Sequence, residues 1–455
     1  MIEVLTIETS GLGDRSYLVS DGSVAIAIDP QRDFDRFVEA AKSHGVKITH
    51  VFETHMHNDY VTGGLALCQA TGATYHVNAA DPVDFEHVAV SDGDVVEVSP
   101  AMKVSVLATP GHTYNHLSFA VNGDSGPVGV FTGGSLLYGS TGRPDLLGAE
   151  HTPKLVRAQY ESVQRLAREL PEQTPIYPTH GFGSFCSSTQ TEGDSSTIAR
   201  EKQINPALTL DQENFIEVTL AGLDDYPAYY AHMGSWNERG PAAPDLSQPE
   251  QADAAEVRRR IEAGEWVVDL RNRTAFAKGH VTGAVNFGLD GPFATYLGWC
   301  VPWGAPLTLL GDSPGQVAEA QRELVRIGYD RLEAAATGDM DALSDGPLSE
   351  LPVASFGDLT KAAKERDIVV LDVRRRSEWN AAHIKGAVHI PLHELPVRAS
   401  ELPRGEVWVH CAGGYRASVA ASLLKREGYD VTAVDDSFDN AQGAGAELEK
   451  QPSAA

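Results

Sequence analysis

Cysteine is scarce in this chain: four in 455 residues, Cys68, Cys186, Cys300 and Cys411. They stand far apart with no CxxC pair, which argues against a disulfide framework or a zinc knuckle and leaves thiols suited to a reducing compartment. Basic residues are few as well. The 36 lysines and arginines face 63 aspartates and glutamates, a formal net charge of −27. No basic stripe is present, so neither nucleic acid nor an anionic membrane surface is an expected partner. Long apolar runs are missing. Met1–Ile7 alternates like a strand, without a basic flank followed by an apolar stretch, and no segment reads as a signal peptide or membrane span. A cytoplasmic protein is expected.

What is present is enough hydrophobic sequence, 42% of the chain, for about three domains of roughly 100–200 residues. Through about residue 205, buried β-runs alternate with turns and helices: Val24–Ile28, Ile48–Phe52, Val104–Ala108, Val128–Phe131 and Ile176–Tyr177. A helical, Tyr-rich stretch follows, with Asp211–Ala221 and then Tyr226, Tyr229 and Tyr230, candidates for a pocket mouth or an oligomer interface. Gly240-Pro241-Ala242-Ala243-Pro244-Asp245 closes it as a linker.

Beyond the linker the sequence repeats. Val267-Val268-Asp269-Leu270-Arg271 recurs as Val370-Leu371-Asp372-Val373-Arg374, and Gly279–Val285 as Ala382–Val388, each displaced by 103 positions. Arg326-Ile327-Gly328-Tyr329 recurs as Arg426-Glu427-Gly428-Tyr429. Two copies of one α/β unit account for this, each with buried strands feeding loops and helices, as in a parallel sheet. Functional loops then belong at the carboxyl ends of strands.

In the second copy such a loop follows Val407-Trp408-Val409: His410-Cys411-Ala412-Gly413-Gly414-Tyr415-Arg416-Ala417-Ser418, with a helix expected over Ser418–Lys425. Gly413 and Gly414 let the backbone curl so that N–H groups point inward, and the helix N-terminus adds partial positive charge. That cradle favours a thiolate and an anionic product on it. A cysteine at a strand end is otherwise a small buried hydrophobe; the glycine pair, the closing arginine and the helix together favour a nucleophile.

Both copies, about 250–345 and 350–445, resemble the rhodanese family through Asp372-Val373-Arg374 with Glu378-Trp379, and through His383-Ile384-Lys385-Gly386-Ala387. The resemblance implies a sulfurtransferase loop from Cys411 to Arg416, one residue shorter than in related phosphatases. It implies that Cys411 attacks a sulfane sulfur, holds it as a persulfide against the N–H groups of Ala412, Gly413, Gly414 and Tyr415, and passes it to a thiol or sulfite. An anionic donor would be gathered by local cations such as Arg416 or Arg143. The first copy has Gly311 and Gln316 where the second has Cys411 and Arg416, so it reads as a spacer or docking module. Cys300 reads as a core thiol.

A second constellation lies near the N-terminus. His55 and His57, at i and i+2 past a buried strand, can face one point, with Asp59 in reach; His112 follows another strand in Thr109-Pro110-Gly111-His112-Thr113, and His180 another in Pro178-Thr179-His180-Gly181. Imidazoles converging from strand ends suit zinc or iron. Residues 1 to about 200 resemble the metallo-β-lactamase superfamily, and the fusion resembles bacterial persulfide dioxygenases; Gly142-Arg143-Pro144-Asp145 adds to the match, with Arg143 and Asp145 a candidate supporting pair. Asp29 reads as structural. Cys186 reads as a structural thiol, and His116, His151 and His232 as surface or capping histidines.

Two positions depart from the family pattern. Tyr60 stands where His-x-His-x-Asp-His ends in histidine, and Gly134 where a carboxylate follows Phe131-Thr132-Gly133. In persulfide dioxygenases that aspartate joins the residues matching His55 and His112 around iron. Three arrangements stay open: an ion on His55, His57 and His112; Asp59 or His180 as a substitute ligand; or an empty scaffold. One Fe(II) per chain is expected, with zinc the alternative.

The expected fold is α/β: a metallo-β-lactamase αββα sandwich with helical extension and linker (1–245), an inactive rhodanese-like domain (246–347) and an active one (348–455), both with parallel sheets. Low-molecular-weight thiol persulfides, thiosulfate or sulfite are the expected partners, with a homo-oligomer a candidate assembly. The alternatives are a sulfane-sulfur relay and a glyoxalase II-like thioester hydrolase, the latter short of ligands for two metals.

Overall fold

Alternation along the N-terminal strands sorts large from small side chains. In the computed structural model, which describes residues 2–124, 126–189, 191, 193–330 and 332–450, Ile26 and Ile28 enter one hydrophobic core while Ala25 and Ala27 face another. Met1 and residues 451–455, both within expected elements, lie outside the described residues. The chain forms two compact units: 1–244 with the short segment 325–328, and 245–324 with 329 onward.

The first unit holds two six-stranded mixed sheets. One runs in chain order through β1 (Glu3–Thr9), β2 (Asp14–Ser20), β3 (Val24–Ile28), β4 (Lys47–Phe52), β5 (Thr74–Asn78) and β6 (Val88–Val90). Its first pairings are antiparallel, and from β3 onward they are parallel. The other comprises β7 (Val95–Ser99), β8 (Met102–Ala108), β9 (Leu117–Gly123), β10 (Gly126–Gly133), β11 (Pro175–Pro178) and β12 (Ser196–Thr197), with only β10–β11 parallel.

Tyr17, Ile26, Ile28 and Phe52 of the first sheet meet Val104, Val106, Phe119 and Phe131 of the second in one core. The outer face of the first sheet packs Leu18, Val51 and Val77 against Phe37, Ala41 and Leu67 of helices Asp35–His44 and Gly64–Thr71. The outer face of the second packs Val130 and Ile176 on Val156, Val163 and Leu166 of helix Thr152–Glu169. Those layers are the expected αββα sandwich. No helix among the described residues is long and apolar enough to cross a membrane.

The second unit holds both copies of the repeat. In the first, β13 (Trp266–Asp269), β14 (Val285–Asn286), β15 (Leu307–Gly311) and β16 (Leu332–Thr337) form a parallel sheet in the order β14-β13-β15-β16. In the second, β17 (Val353–Ala354), β18 (Ile368–Asp372), β20 (Val388–His389), β21 (Glu406–His410) and β22 (Val431–Val434) pair in parallel as β17-β22-β21-β18-β20. A small antiparallel pair, β19 (His383–Ile384) with β23 (Leu448–Glu449), lies beside it.

The repeated motifs have one physical cause. Arg271 grips the buried Asp269 through Nε and Nη2 and donates to the Gly279 carbonyl at 2.8 Å; Arg374 does the same with Asp372 and Ala382, again at 2.8 Å. The histidine of each motif then stacks on an aromatic four residues back, His280 on Phe276 at 3.9 Å and His383 on Trp379 at 3.6 Å. Each Asp–Arg pair thereby ties a strand end to the helix beyond it. Asp269→Ala and Asp372→Ala both leave a buried arginine unpaired, so each should destabilise the second unit by about 3–5 kcal/mol. Urea unfolding followed by tryptophan fluorescence should show similar midpoint shifts for the two variants.

Candidate metal centre and cysteine loop

The chemistry-bearing side chains of the first unit follow strand ends. His55, His57 and Asp59 come after β4, His112 after β8 and His180 after β11, and all five are at most 1% exposed. His55, His112 and His180 bring one nitrogen each within 4.8 Å of one another, and His57, Asp59 and His180 form a second such group. The structure thus places every metal-site residue expected from the sequence in one of two groups that share His180.

Asp29 holds these loops in place. It is buried, with φ +50°, and accepts from the Thr54 amide at 2.7 Å and the Thr54 hydroxyl at 2.7 Å, and from the Thr179 hydroxyl at 2.5 Å. Because Thr54 gives its hydroxyl proton to Asp29, the contact between Thr54 Oγ1 and His55 Nδ1 at 2.9 Å must be donated by the ring. His112 Nδ1 likewise donates to the Arg143 carbonyl at 2.8 Å, leaving Nε2 buried without a hydrogen-bond partner.

The charges segregate. Burial, then neighbouring imidazoles, lowers His55 far below its usual range and His112 to about 3, so both rings are neutral. Against the same pull of burial, Asp59 and Asp14 hold His180 up to about 10, and Asp29 and Glu53 hold His57 up to about 9. His180 Nδ1 lies 3.0 Å from Asp14 and 3.1 Å from Asp59. Burial and the Asp59 charge raise Asp14 to about 7.

His57 is placed differently from the other rings. Its Nε2 faces the Tyr60 hydroxyl at 2.9 Å, Glu53 at 3.3 Å and Asp29 at 3.4 Å, while its Nδ1 is buried without a hydrogen-bond partner. Tyr60 is fully buried and supplies a hydrogen bond where the family pattern has a ligand. At Gly134 a Cβ would stand 2.3 Å from His112 Cδ2, so the His112 ring leans into the space a side chain there would need.

Several residues differ from their sequence-based expectations. His116 is not a surface or capping residue: it is 1% exposed, donates Nδ1–H to Thr109 at 2.9 Å and accepts the Gly134 amide at 2.9 Å. Its place four residues after His112, in the same loop, is the signal that could have found it. Asn237 had no signal, since it works across 175 to 180 residues: its amide donates to the carbonyls of His57 and Tyr60, each at 2.9 Å, and its oxygen accepts from the Thr62 amide. Tyr229 and Tyr230 are buried, which removes them from an oligomer interface; the Tyr230 hydroxyl faces Cys186 Sγ at 3.9 Å. Burial, then Asp59, keeps Cys186 a thiol. The Arg143 guanidinium pairs with Asp145 at 2.7 Å, donates to the carbonyls of Phe185 and Asp224, and lies over Tyr226.

In the second unit, β21 delivers Cys411 to a tight turn. Gly414, at φ +97°, sends its N–H to Cys411 Sγ at 3.1 Å. The helix expected from Ser418 begins at Tyr415 and runs to Arg426, because Gly414 turns the chain straight into it and the Ser418 amide already bonds the Gly414 carbonyl at 2.9 Å. Arg416 therefore sits in the first helical turn. It forms a two-pronged pair with Glu378 at 2.6 and 2.8 Å; despite burial, Arg416 holds that carboxylate down at about 2.

The corresponding loop of the first copy is closed by its own side chain. Gln316 accepts from the Asp312 amide at 2.7 Å and donates to the Leu270 carbonyl at 3.2 Å, filling the turn that Cys411 occupies in the second copy. Cys300 is buried, and burial raises its thiol.

Known proteins match both parts. The rhodanese-like domain model matches residues 253–339 and 355–444. The persulfide dioxygenase ETHE1 of Bos taurus is 30% identical over 211 residues, 46% of this chain and 73% of that protein. A hydroxyacylglutathione hydrolase of Polaromonas is 30% identical over 171 residues, 37% of this chain and 62% of the hydrolase. A crystal structure of a metallo-β-lactamase from Staphylococcus aureus covers 74% of this chain and 99% of its own, at 26% identity and a TM-score of 0.66. The chain belongs to the metallo-β-lactamase-fold proteins fused to tandem rhodanese domains, homologous to the persulfide dioxygenases.

Proposed function

We propose that this chain processes sulfane sulfur at two centres, transferring it at Cys411 and oxidising a low-molecular-weight thiol persulfide to sulfite in the first domain. The reading rests above all on the Cys411 thiol, seated at a strand end, receiving a loop N–H and facing a helix start, in a chain that also carries a buried histidine cluster. The Cys411 thiolate attacks the outer sulfur of thiosulfate; the donor S–S bond breaks, sulfite leaves, and a cysteine persulfide remains. Its terminal charge is met by the Gly414 N–H and the helix N-terminus. Sulfite can attack that persulfide in turn, releasing thiosulfate and restoring the thiolate.

In the first domain the net reaction is RSSH + O2 + H2O → RSH + SO3²⁻ + 2 H⁺. An iron(II) ion held in the buried histidine cluster would supply the redox chemistry, which zinc lacks. The unpartnered His112 Nε2 and the carboxylates behind His180 are the features of this chain that fit such an ion. His116 and Asn237 keep the loops in register.

Thioester hydrolysis on two metals fits less well, since Tyr60 and Gly134 supply neither the histidine nor the bridging carboxylate it needs. A relay protein, with Cys411 carrying sulfur to a partner and an inert first domain, remains the other outcome of the tests. Cys411→Ser should abolish sulfite release from thiosulfate with a thiol acceptor, a loss of at least a thousandfold; undiminished release refutes the transferase. Oxygen-electrode traces with glutathione persulfide should show uptake by the iron-loaded wild type and none by His112→Ala. No uptake by an iron-loaded wild type favours the relay.

A further inference from the structure

We infer that the first domain holds one metal ion on His55, His112 and His180, with His180 taking the ligand place that Gly134 leaves open. The inference rests on reading that domain as metal-bearing and specifies which of its residues bind.

Each of the three rings has its Nδ1 proton fixed by an acceptor. His55 donates to Thr54 Oγ1, whose own proton is given to Asp29; His112 donates to the Arg143 carbonyl; His180 Nδ1 lies between the carboxylates of Asp14 and Asp59. Partners of this kind orient metal-binding histidines and fix their tautomers. What each ring offers an ion is Nε2; those of His55 and His180 share a long hydrogen bond, whose proton an incoming ion would displace. The Nε2 atoms of His55 and His180 are 3.4 Å apart, the edge of about 3.4 Å expected for two nitrogens each roughly 2.1 Å from a tetrahedral ion. His112 Nε2 is buried with no hydrogen-bond partner.

The two departures from the family pattern support the same set. The ring of His112 stands 2.3 Å from where a Gly134 Cβ would be, so this His112 position and a carboxylate at 134 exclude each other. His57 commits its Nε2 to Tyr60, Glu53 and Asp29, and although its Nδ1 is buried without a hydrogen-bond partner, the residue groups with Asp59 and His180 and not with His55 and His112. A second ion could use His57, Asp59 and His180 or Asp29, Glu53 and His57, but His180 already directs Nε2 to the first group while its Nδ1 faces carboxylates, and Asp29 and Glu53 are taken up by the hydroxyls of Thr54, Thr179, Thr62 and Tyr75 and by His57 Nε2. Without a ligand at 60 or 134, the group with Asp59 keeps only His57 and Asp59, and a single ion follows.

The test measures metal content of the full chain. Wild type, His180→Ala, His57→Gln and G134D are loaded anaerobically with iron(II), or separately with cobalt(II), desalted, and analysed by elemental analysis and by the cobalt absorption bands, with circular dichroism confirming the fold. One ion per chain is expected in the wild type and in His57→Gln. At least a tenfold loss is expected in His180→Ala, and a partial loss with altered cobalt bands in G134D, whose side chain displaces His112. Should His180→Ala fail to fold, His180→Gln read by the cobalt bands takes its place. Full metal in the His180 variant, or tighter binding in G134D, overturns the three-histidine assignment and leaves the persulfide reading standing. A wild type that takes up neither metal overturns both.

Discussion

One buried carboxylate organises the first domain. Asp29 receives the amide and hydroxyl of Thr54, the hydroxyl of Thr179 and the charge of His57, and so ties the ends of β3, β4 and β11 to one point. A buried carboxylate is tolerable only with such a set of donors, and this set includes both chain segments that carry His55 and His180. Its left-handed backbone, costly for a residue other than glycine, is the local strain that this convergence maintains. The histidines are therefore oriented at one remove, through threonines, before any ligand enters.

The second unit uses the same economy with opposite signs. The arginines of the repeated motif are buried, each locked on an aspartate two residues back, and the half-buried Arg416 is locked on Glu378. With Arg416 paired to Glu378, the Cys411 sulfur receives a backbone donor, the Gly414 N–H at 3.1 Å. A loop of backbone donors suits a compact, polarisable persulfide, which needs directed dipoles more than a formal counter-charge. The first copy shows what the same turn becomes without a thiol: the Gln316 side chain supplies acceptor and donor internally, and the cradle is filled.

Sequence periodicity and internal repetition carried most of the architecture. The strand runs from Val24 to Tyr177 and the 103-residue repeat correspond to observed elements because each depends on local alternation or on a short self-contained motif. The site was legible as a residue list but not as a geometry. His57 looks like a ligand beside His55 until Tyr60, Glu53 and Asp29 are seen to hold its Nε2, and those partners lie up to 28 positions away. Glu378 was visible as a motif residue, yet its partnership with Arg416 spans 38 positions. Asn237 acts on the backbone of His57, Tyr60 and Thr62, which leaves no trace in residue type, whereas His116 is betrayed only by its place four residues after His112.

The losses at positions 60 and 134 make sense together as charge balance. Asp14, Asp29, Glu53 and Asp59 are all buried near the cluster, against the cationic His57 and His180. The strain of that excess is visible: burial, with the nearby carboxylates, raises both Asp14 and Glu53. A further aspartate at 134 would add another negative charge to a pocket in which burial and neighbouring carboxylates already raise Asp14 and Glu53. Imidazole ligands avoid this, because neutral His55 and His112 bring no charge and His180 brings its counter-ions behind it. Tyr60 completes the balance from the other side: it hydrogen-bonds His57 without titrating near neutrality, burial and the surrounding carboxylates holding its hydroxyl protonated. The substitutions that weaken the family's metal signature thus lower the electrostatic cost of keeping four carboxylates beneath three converging rings.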